Sequence, residues 1–141
     1  MAVIELKGIT KSFKDCAVLD GVSLGAEAGE IVVIFGPSGT GKTVLLRLIA
    51  GVHEPDRGAI FVDGQDMTDV APEHRGVGMA FQNFALFPHM SAAENIATPL
   101  RAKGESEQAV QSGIAKVAKL LKIDHVLGHA PRELSNGQKQ R

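Results

Sequence analysis

The chain has 141 residues, 44% of them hydrophobic, which is the size of one domain with enough apolar material for a core. Fifteen Lys and Arg stand against sixteen Asp and Glu, a net charge of −1, which excludes bulk attraction to nucleic acid or to an anionic membrane surface. A single cysteine, Cys16, excludes an internal disulfide framework and fits a reducing compartment.

The N-terminus, MAVIELKG, lacks the apolar stretch of a signal peptide, and no apolar run approaches the ~20 residues that cross a bilayer. Any membrane crossing is therefore expected from other chains. Residues 3–9, VIELKGI, are short and rich in branched side chains and predict a strand, with a second short strand near 22–26. Ala28-Gly29-Glu30 then turns the chain into Ile31-Val32-Val33-Ile34-Phe35, an apolar run predicted as a buried strand. After it the apolar period changes. Val44, Leu45, Leu48 and Ile49 share one helical face, and Gly51 and Pro55 end that helix. GAIFVD, residues 58–63, predicts another strand, with Asp63-Gly64 as its turn. Val77 to Phe81 predicts a further buried strand, followed by the irregular stretch QNFALFPHMS.

Ser91-Ala-Ala-Glu94 has the spacing of a capping box and starts a short helix. Residues 106–121 give the clearest helical pattern, with Val110, Ile114, Val117 and Leu121 on one face. The first half mixes strands and helices, and the part after about residue 85 is almost wholly helical. That shift predicts two subdomains, 1–84 and 85–141.

Between the apolar run 31–35 and the first helix lies GPSGTGKT, residues 36–43. The pattern G-x-x-x-x-G-K-T between a strand and a helix is the phosphate-binding P-loop. Gly36, Gly39 and Gly41 permit positive φ and close approach of a ligand to the backbone. The N–H groups of Gly36, Pro37's successors Ser38, Gly39, Thr40 and Gly41, and the start of the helix then form a nest for phosphate oxygens. Lys42 can reach the β- and γ-phosphates, and the Thr43 hydroxyl can ligate Mg²⁺. The loop points to a nucleoside triphosphate without naming the reaction. Among the five histidines, His125 and His129 are four apart, but Gly128 intervenes and no third ligand is near, so no zinc site is expected.

Near the C-terminal end stands LSNGQKQR, residues 134–141. It resembles the LSGGQ signature of ATP-binding cassette (ABC) transporter ATPases, with Asn136 where the family usually has glycine. Asn tolerates positive φ better than most residues, so the loop is expected to survive the change. Ser135 is also a natural N-cap for the helix it opens. The resemblance implies that Ser135, Gly137 and Gln138 contact the γ-phosphate of ATP held by a second copy of the subunit. Gln82 resembles the family's Q-loop glutamine, which implies a catalytic and Mg²⁺-sensing role beside Lys42 and Thr43. Phe13, in KSFKD, lies where the family carries an aromatic ring that stacks on adenine, and stacking needs only a π face. Leu86, Phe87 and Met90 around His89 are expected to form an apolar patch in the region that, in the family, meets the transmembrane subunit.

RGVGMAFQNFALFPHMSAAENIATPL is most similar to ATPase subunits of bacterial carbohydrate importers of the maltose and glycerol-phosphate kind. The resemblance implies an α/β fold: a P-loop NTPase (RecA-like) core with an antiparallel β subdomain and a helical subdomain. It implies an ATP- and Mg²⁺-dependent ATPase that energises import of a small solute, with carbohydrate expected. Its partners would be a second copy in a head-to-tail dimer, transmembrane permease subunits and, indirectly, a solute-binding protein, with no nucleic acid. Its place would be cytoplasmic, peripheral on the inner face of the membrane. The family's Walker B Asp, catalytic Glu and switch His follow the signature and have no counterpart in these 141 residues. The chain is therefore expected to correspond to the N-terminal part of such an ATPase, truncated before the Walker B strand. The alternative expectation is a truncated, non-hydrolysing nucleotide-binding module. A GTPase or small-molecule kinase is disfavoured, because no N-K-x-D motif is present and LSNGQ has no use there.

Overall fold

The computed structural model describes residues 2–14 and 16–141. These divide into two compact units, Met1–Met79 and Ala80–Arg141.

The first unit is an antiparallel sheet with one helix packed on it. Strands β1 (Ala2–Phe13), β2 (Cys16–Glu27), β3 (Arg57–Val62) and β4 (Gln65–Asp66) lie in the order β2-β1-β3-β4. β1 pairs with β2 from Ala2 opposite Glu27 to Phe13 opposite Cys16, and with β3 on its other edge. Both long strands outrun the short ones expected near 3–9 and 22–26. Their register shifts between Leu6 and Ile9 and again beyond, and such irregularities break the alternation by which a strand is read. Asp63 and Gly64, at φ 49° and 75°, join β3 to β4. Positive φ at both central residues is the backbone of a type I′ hairpin turn, whose twist matches the strands.

Helix α1 (Lys42–Ile49) buries Leu45, Leu48 and Ile49 against Leu6 and Ile9 of β1, Leu19 of β2 and Ile60 of β3. Leu48, Ile9 and Ile60 are wholly buried, so the period-3.6 face of one element meets the period-2 faces of three others. Arg75 closes this unit. Its buried guanidinium donates to the Leu48 carbonyl at 2.9 Å and the Ile49 carbonyl at 3.4 Å, and to the Thr68 and Val70 carbonyls at 3.0 and 2.7 Å. A cation is thereby set at the negative end of α1. Burial pulls its pKa below the ordinary arginine value, against the pull of Asp69 and Glu54.

Two expected strands are corrected. Residues 31–35 form no ladder, and Ile31, Val33 and Phe35 are 89%, 78% and 96% exposed. Ile34 alone leans on the core cluster of this unit. An apolar run becomes a strand only when a neighbour pairs its N–H and C=O groups, and among the described residues none pairs with this one. Residues 77–81 likewise form no ladder, although Val77 packs on the core of the first unit.

The second unit contains α2 (Ala92–Ala102), α3 (Glu107–Leu121) and the short α4 (Asn136–Gln140). Ser91 opens α2: its hydroxyl accepts from the Glu94 N–H, and the Glu94 carboxylate accepts from the Ser91 N–H at 2.6 Å. Ser106 caps α3 in the same way through the Ala109 N–H. The buried stripe of α3 is Val110, Ile114 and Ala118, while Val117, expected on that face, is exposed. The 110–114–118 row runs straight down one side at i, i+4 spacing, and Val117 sits about one residue off it. No helix among the described residues is long and apolar enough to cross a membrane.

Candidate functional site

The P-loop lies in the first unit, and its geometry follows from its glycines. Gly39 and Gly41 take φ of 85° and 84°. A Cβ on Gly41 would lie 2.9 Å from both the Val18 and Leu19 side chains and 3.0 Å from the Val18 carbonyl. Gly41 thus needs both the left-handed backbone and the missing side chain, and the close approach it permits is to β2. Gly41 is also the N-cap of α1, with no side-chain cap and no acidic residue in the first turn.

The donors at this helix start are open. Among the described residues, no protein acceptor is paired with the N–H groups from Gly39 to Val44, and the first pairing is Leu45 N–H to the Gly41 carbonyl at 2.8 Å. Lys42 folds back over the loop. Its ammonium donates to the Gly36 carbonyl at 2.8 Å, to the Pro37 carbonyl and to Thr40 Oγ1 at 3.4 Å. It forms no ion pair among the described residues, where Lys7, Lys11 and Arg101 do. Thr40 Oγ1 donates to the Pro37 carbonyl at 2.9 Å and braces the loop. Ser38 and Thr43 are exposed. A cleft of about 330 Å³ opens here, lined by Gly36, Pro37, Thr40, Gly41 and Lys42 and by apolar side chains such as Leu19 and Val22. Unfilled donors, a helix N-terminus and an unpaired ammonium together suit a polyanion such as a triphosphate.

Phe13 ends β1 and is 40% exposed. The ring of His53 packs near-perpendicular to it at 5.4 Å and 68°, and Lys11 Nζ lies 5.6 Å from its centroid. Phe13 is thus a part-exposed ring, braced at its edge by His53 and with Lys11 Nζ over it.

Gln82, Ser135, Gly137 and Gln138 lie in the second unit. Gln82 and Asn83 are the exposed corner of a turn closed by the Phe84 N–H to the Phe81 carbonyl, 2.9 Å. Phe84 and Ala85 then take φ of 63° and 48°, two successive non-glycine residues in the left-handed region. Such strain persists only when neighbours over-determine it. Asn95, which the sequence reading did not single out, supplies the anchor. Its Oδ1 accepts from the Phe87 N–H at 2.8 Å, and its Nδ2 donates to the carbonyls of Phe87, Met90 and Ser91 at 3.2, 3.2 and 2.9 Å. Asn is a poor helix former because its amide competes for backbone groups, and an Asn on the first turn of a helix was the available signal. The segment so held presents Phe87, 45% exposed, with His89 at 6.1 Å from it.

Ser135 is the N-cap of α4. Its Oγ accepts from the Gln138 N–H at 3.3 Å, and Gln138 Oε1 accepts from the Ser135 N–H at 2.8 Å. Asn136 is the first residue of that helix and does not have positive φ. The tolerance expected of Asn there is therefore not called upon, because the position is helical and any L-residue fits it.

The family model described as ABC transporter matches residues 19–141. The chain belongs to the ABC transporter family. Among curated proteins, this ABC chain is 44% identical over its whole length to the spermidine/putrescine import ATP-binding protein PotA of Nitrosomonas europaea, covering 39% of that protein. It is 45% identical over its whole length to the sn-glycerol-3-phosphate import ATP-binding protein UgpC 1 of Rhizobium johnstonii, covering 38% of it. The chain thus spans about two fifths of the length of these relatives. Among solved structures, a dimeric post-hydrolysis state of an ATP-binding cassette bound to ADP and Pi matches with a TM-score of 0.87 at 30% identity, over 96% of this chain and 65% of that one. A second dimeric structure of that same cassette, a bacterial ABC transporter cassette, matches with a TM-score of 0.85 at 31% identity, over the same shares. The fold is that of an ABC ATPase cassette, an α/β P-loop NTPase with its antiparallel sheet and helices.

Proposed function

We propose that this chain is the nucleotide-binding part of the ATPase subunit of an ABC importer. The observation that carries the reading is the set of unpaired N–H groups from Gly39 to Val44, beside an ammonium with no acidic partner among the described residues. ATP with Mg²⁺ supplies a phosphoanhydride bond and a divalent charge when bound. The chain's part is to hold and orient. The backbone N–H groups of Gly36, Ser38, Gly39, Thr40 and Gly41 cradle phosphate oxygens, and Pro37, which has no N–H, shapes the loop between them. Lys42 exchanges its carbonyl partners for the β- and γ-oxygens, and its charge-assisted bonds are the strong ones. The Thr43 hydroxyl, exposed in the first turn of α1, would hold the Mg²⁺, and the exposed Gln82 amide would sense it. Phe13 stacks on the base. Ser135, Gly137 and Gln138 face the γ-phosphate on a second copy in a head-to-tail dimer, an arrangement supported by the dimeric cassettes among its structural relatives.

The whole protein is proposed to hydrolyse ATP and to work at the cytoplasmic face of the membrane with permease subunits and a solute-binding protein. The 141-residue polypeptide by itself is proposed to bind nucleotide without turning it over, because hydrolysis also needs a positioned water with its base. The solute is proposed to be a small organic molecule. A carbohydrate or sugar phosphate is favoured by the likeness to UgpC 1, and a polyamine by the equal likeness to PotA. Isothermal titration with ATP tests the binding reading. Saturable binding lost in Lys42→Ala supports it, and equal affinity in the two proteins overturns it. Uptake of labelled glycerol 3-phosphate and of labelled putrescine, in cells lacking the gene, separates the two solute classes.

A further inference from the structure

The loop after α1 ties the end of that helix to the end of β1. Gly51 N–H donates to the Leu48 carbonyl, and both Val52 N–H and His53 N–H donate to the Arg47 carbonyl, at 2.8 and 3.3 Å. The backbone of His53 is therefore fixed to the last turn of α1. Its ring packs on Phe13 at 5.4 Å. Three residues on, Asp56 N–H donates to the Thr10 carbonyl, and the Asp56 carboxylate accepts from Lys11 Nζ and from the Ser12 N–H, each at 2.7 Å. These contacts hold β1 from Thr10 to Phe13 against the loop. The same helix carries the P-loop lysine at its other end, seven residues or about 10 Å from Ile49 along its axis.

We propose that His53 is a positioning residue for nucleotide binding: it holds the Phe13 ring at a set place relative to α1, so that the base and phosphate subsites are registered through one helix. This rests on the reading that Phe13 stacks on the base. Stacking rewards a ring that is already oriented, because no rotamer freedom is then lost on binding. A perpendicular aromatic neighbour supplies that orientation and leaves much of the phenyl surface open. Lys11, held by Asp56, adds a second restraint near the same ring.

The test compares ATP with inorganic tripolyphosphate, which has no base, by isothermal titration. The proteins are wild type, Phe13→Ala, His53→Ala and His53→Phe. His53→Ala is expected to weaken ATP binding about three- to tenfold, the range of an aromatic pair, and to leave tripolyphosphate binding unchanged. His53→Phe, which keeps a ring and covers the case of an unfolded alanine variant, is expected to bind ATP within about twofold of wild type. Three results overturn the proposal: unchanged ATP affinity in His53→Ala while Phe13→Ala binds weakly, equal losses for both ligands, or His53→Phe as weak as His53→Ala. Unchanged ATP affinity in Phe13→Ala instead sinks the stacking reading itself, and the proposal with it.

Discussion

Two helices of this chain begin in short stretches rich in serine and glycine, and they treat their first N–H groups in opposite ways. α4 closes its own end: Ser135 and Gln138 exchange two hydrogen bonds, leaving the N–H groups of Asn136 and Gly137 without an acceptor among the described residues. α1 closes nothing. Its N-cap is a glycine without a side chain, and the unpaired donors run back from Val44 to Gly39. A capped start is stable by itself, whereas a start opened by glycine is completed by something that brings acceptors. On the proposed reading, the contrast casts the P-loop as the primary anion site and the helix opened by Ser135 as an accessory one, with few donors to offer.

The sharpest break of that contrast is at Lys42. Lys42→Ala removes the only side-chain cation of the loop. It is expected to weaken ATP binding on the order of 100-fold, as loss of strong charge-assisted bonds implies, and to abolish turnover in the whole protein. Ser135→Ala is expected to leave ATP affinity of the isolated chain unchanged, because on the proposed reading Ser135 meets nucleotide held by a second copy. Titration calorimetry on both variants checks the pair. Equal losses at Lys42 and Ser135 would erase the distinction between the two helices.

The glycines sharpen the comparison next. Gly41→Ala puts a Cβ 2.9 Å from Val18 and Leu19 at a φ of 84°, and is expected to cost about 2–3 kcal/mol of stability. Gly137→Ala meets nothing within 4 Å and lies in helical backbone. It is expected to be neutral or to gain about 0.5 kcal/mol. Urea unfolding of the two variants measures the difference. A Gly137→Ala variant that is at least as stable as wild type yet slow in whole-protein turnover would mark that glycine as needed for access to its backbone.

What could be read from the sequence divides along physical lines. The helix α2 was legible because a Ser with a Glu three residues on is a local device, and α3 because its apolar residues recur at helical spacing. The P-loop was legible because its chemistry demands particular residues at a particular spacing. Residues 31–35 misled because five branched or aromatic side chains announce a strand, whereas a strand is a pairing, and pairing is not local. Arg75 was invisible for the related reason that its partners are backbone carbonyls, two of them 26 and 27 residues away, and any sequence supplies carbonyls. Arg75→Met is expected to cost about 3 kcal/mol, because four carbonyls lose their donor and two of those bonds brace the helix that carries the P-loop. A cost below about 1 kcal/mol in urea unfolding would show that water replaces the guanidinium there.

Smaller losses than at Arg75 are expected at the caps. Ser91→Ala and Ser135→Ala should each cost about 1 kcal/mol if α4 depends on its box as α2 does. A much smaller cost at Ser135 would mean that α4 is held by other contacts, and that its serine is free to serve a ligand. Acid titration separates the two boxes further, since only the first contains an ionisable group. The Glu94 carboxyl is held below its ordinary value, first by the Ser91 N–H and next by the Ser91 hydroxyl. A carboxylate whose folded-state pKa is depressed contributes stability that is fully present above the unfolded value, roughly 4.3. That contribution is lost as pH falls through the lower folded value, because protonation then costs the folded state its hydrogen-bonded anion. Glu94→Gln is therefore expected to lower stability slightly at neutral pH and to flatten the acid limb of the stability curve below about pH 4. Gln138, uncharged in the equivalent place, should give no such limb, so Gln138→Ala should shift the curve down by the same amount at every pH. Thermal melts of the two variants between about pH 3 and 7 decide it. A parallel shift for Glu94→Gln would show that its carboxylate acts in the box only as an acceptor that a neutral amide replaces.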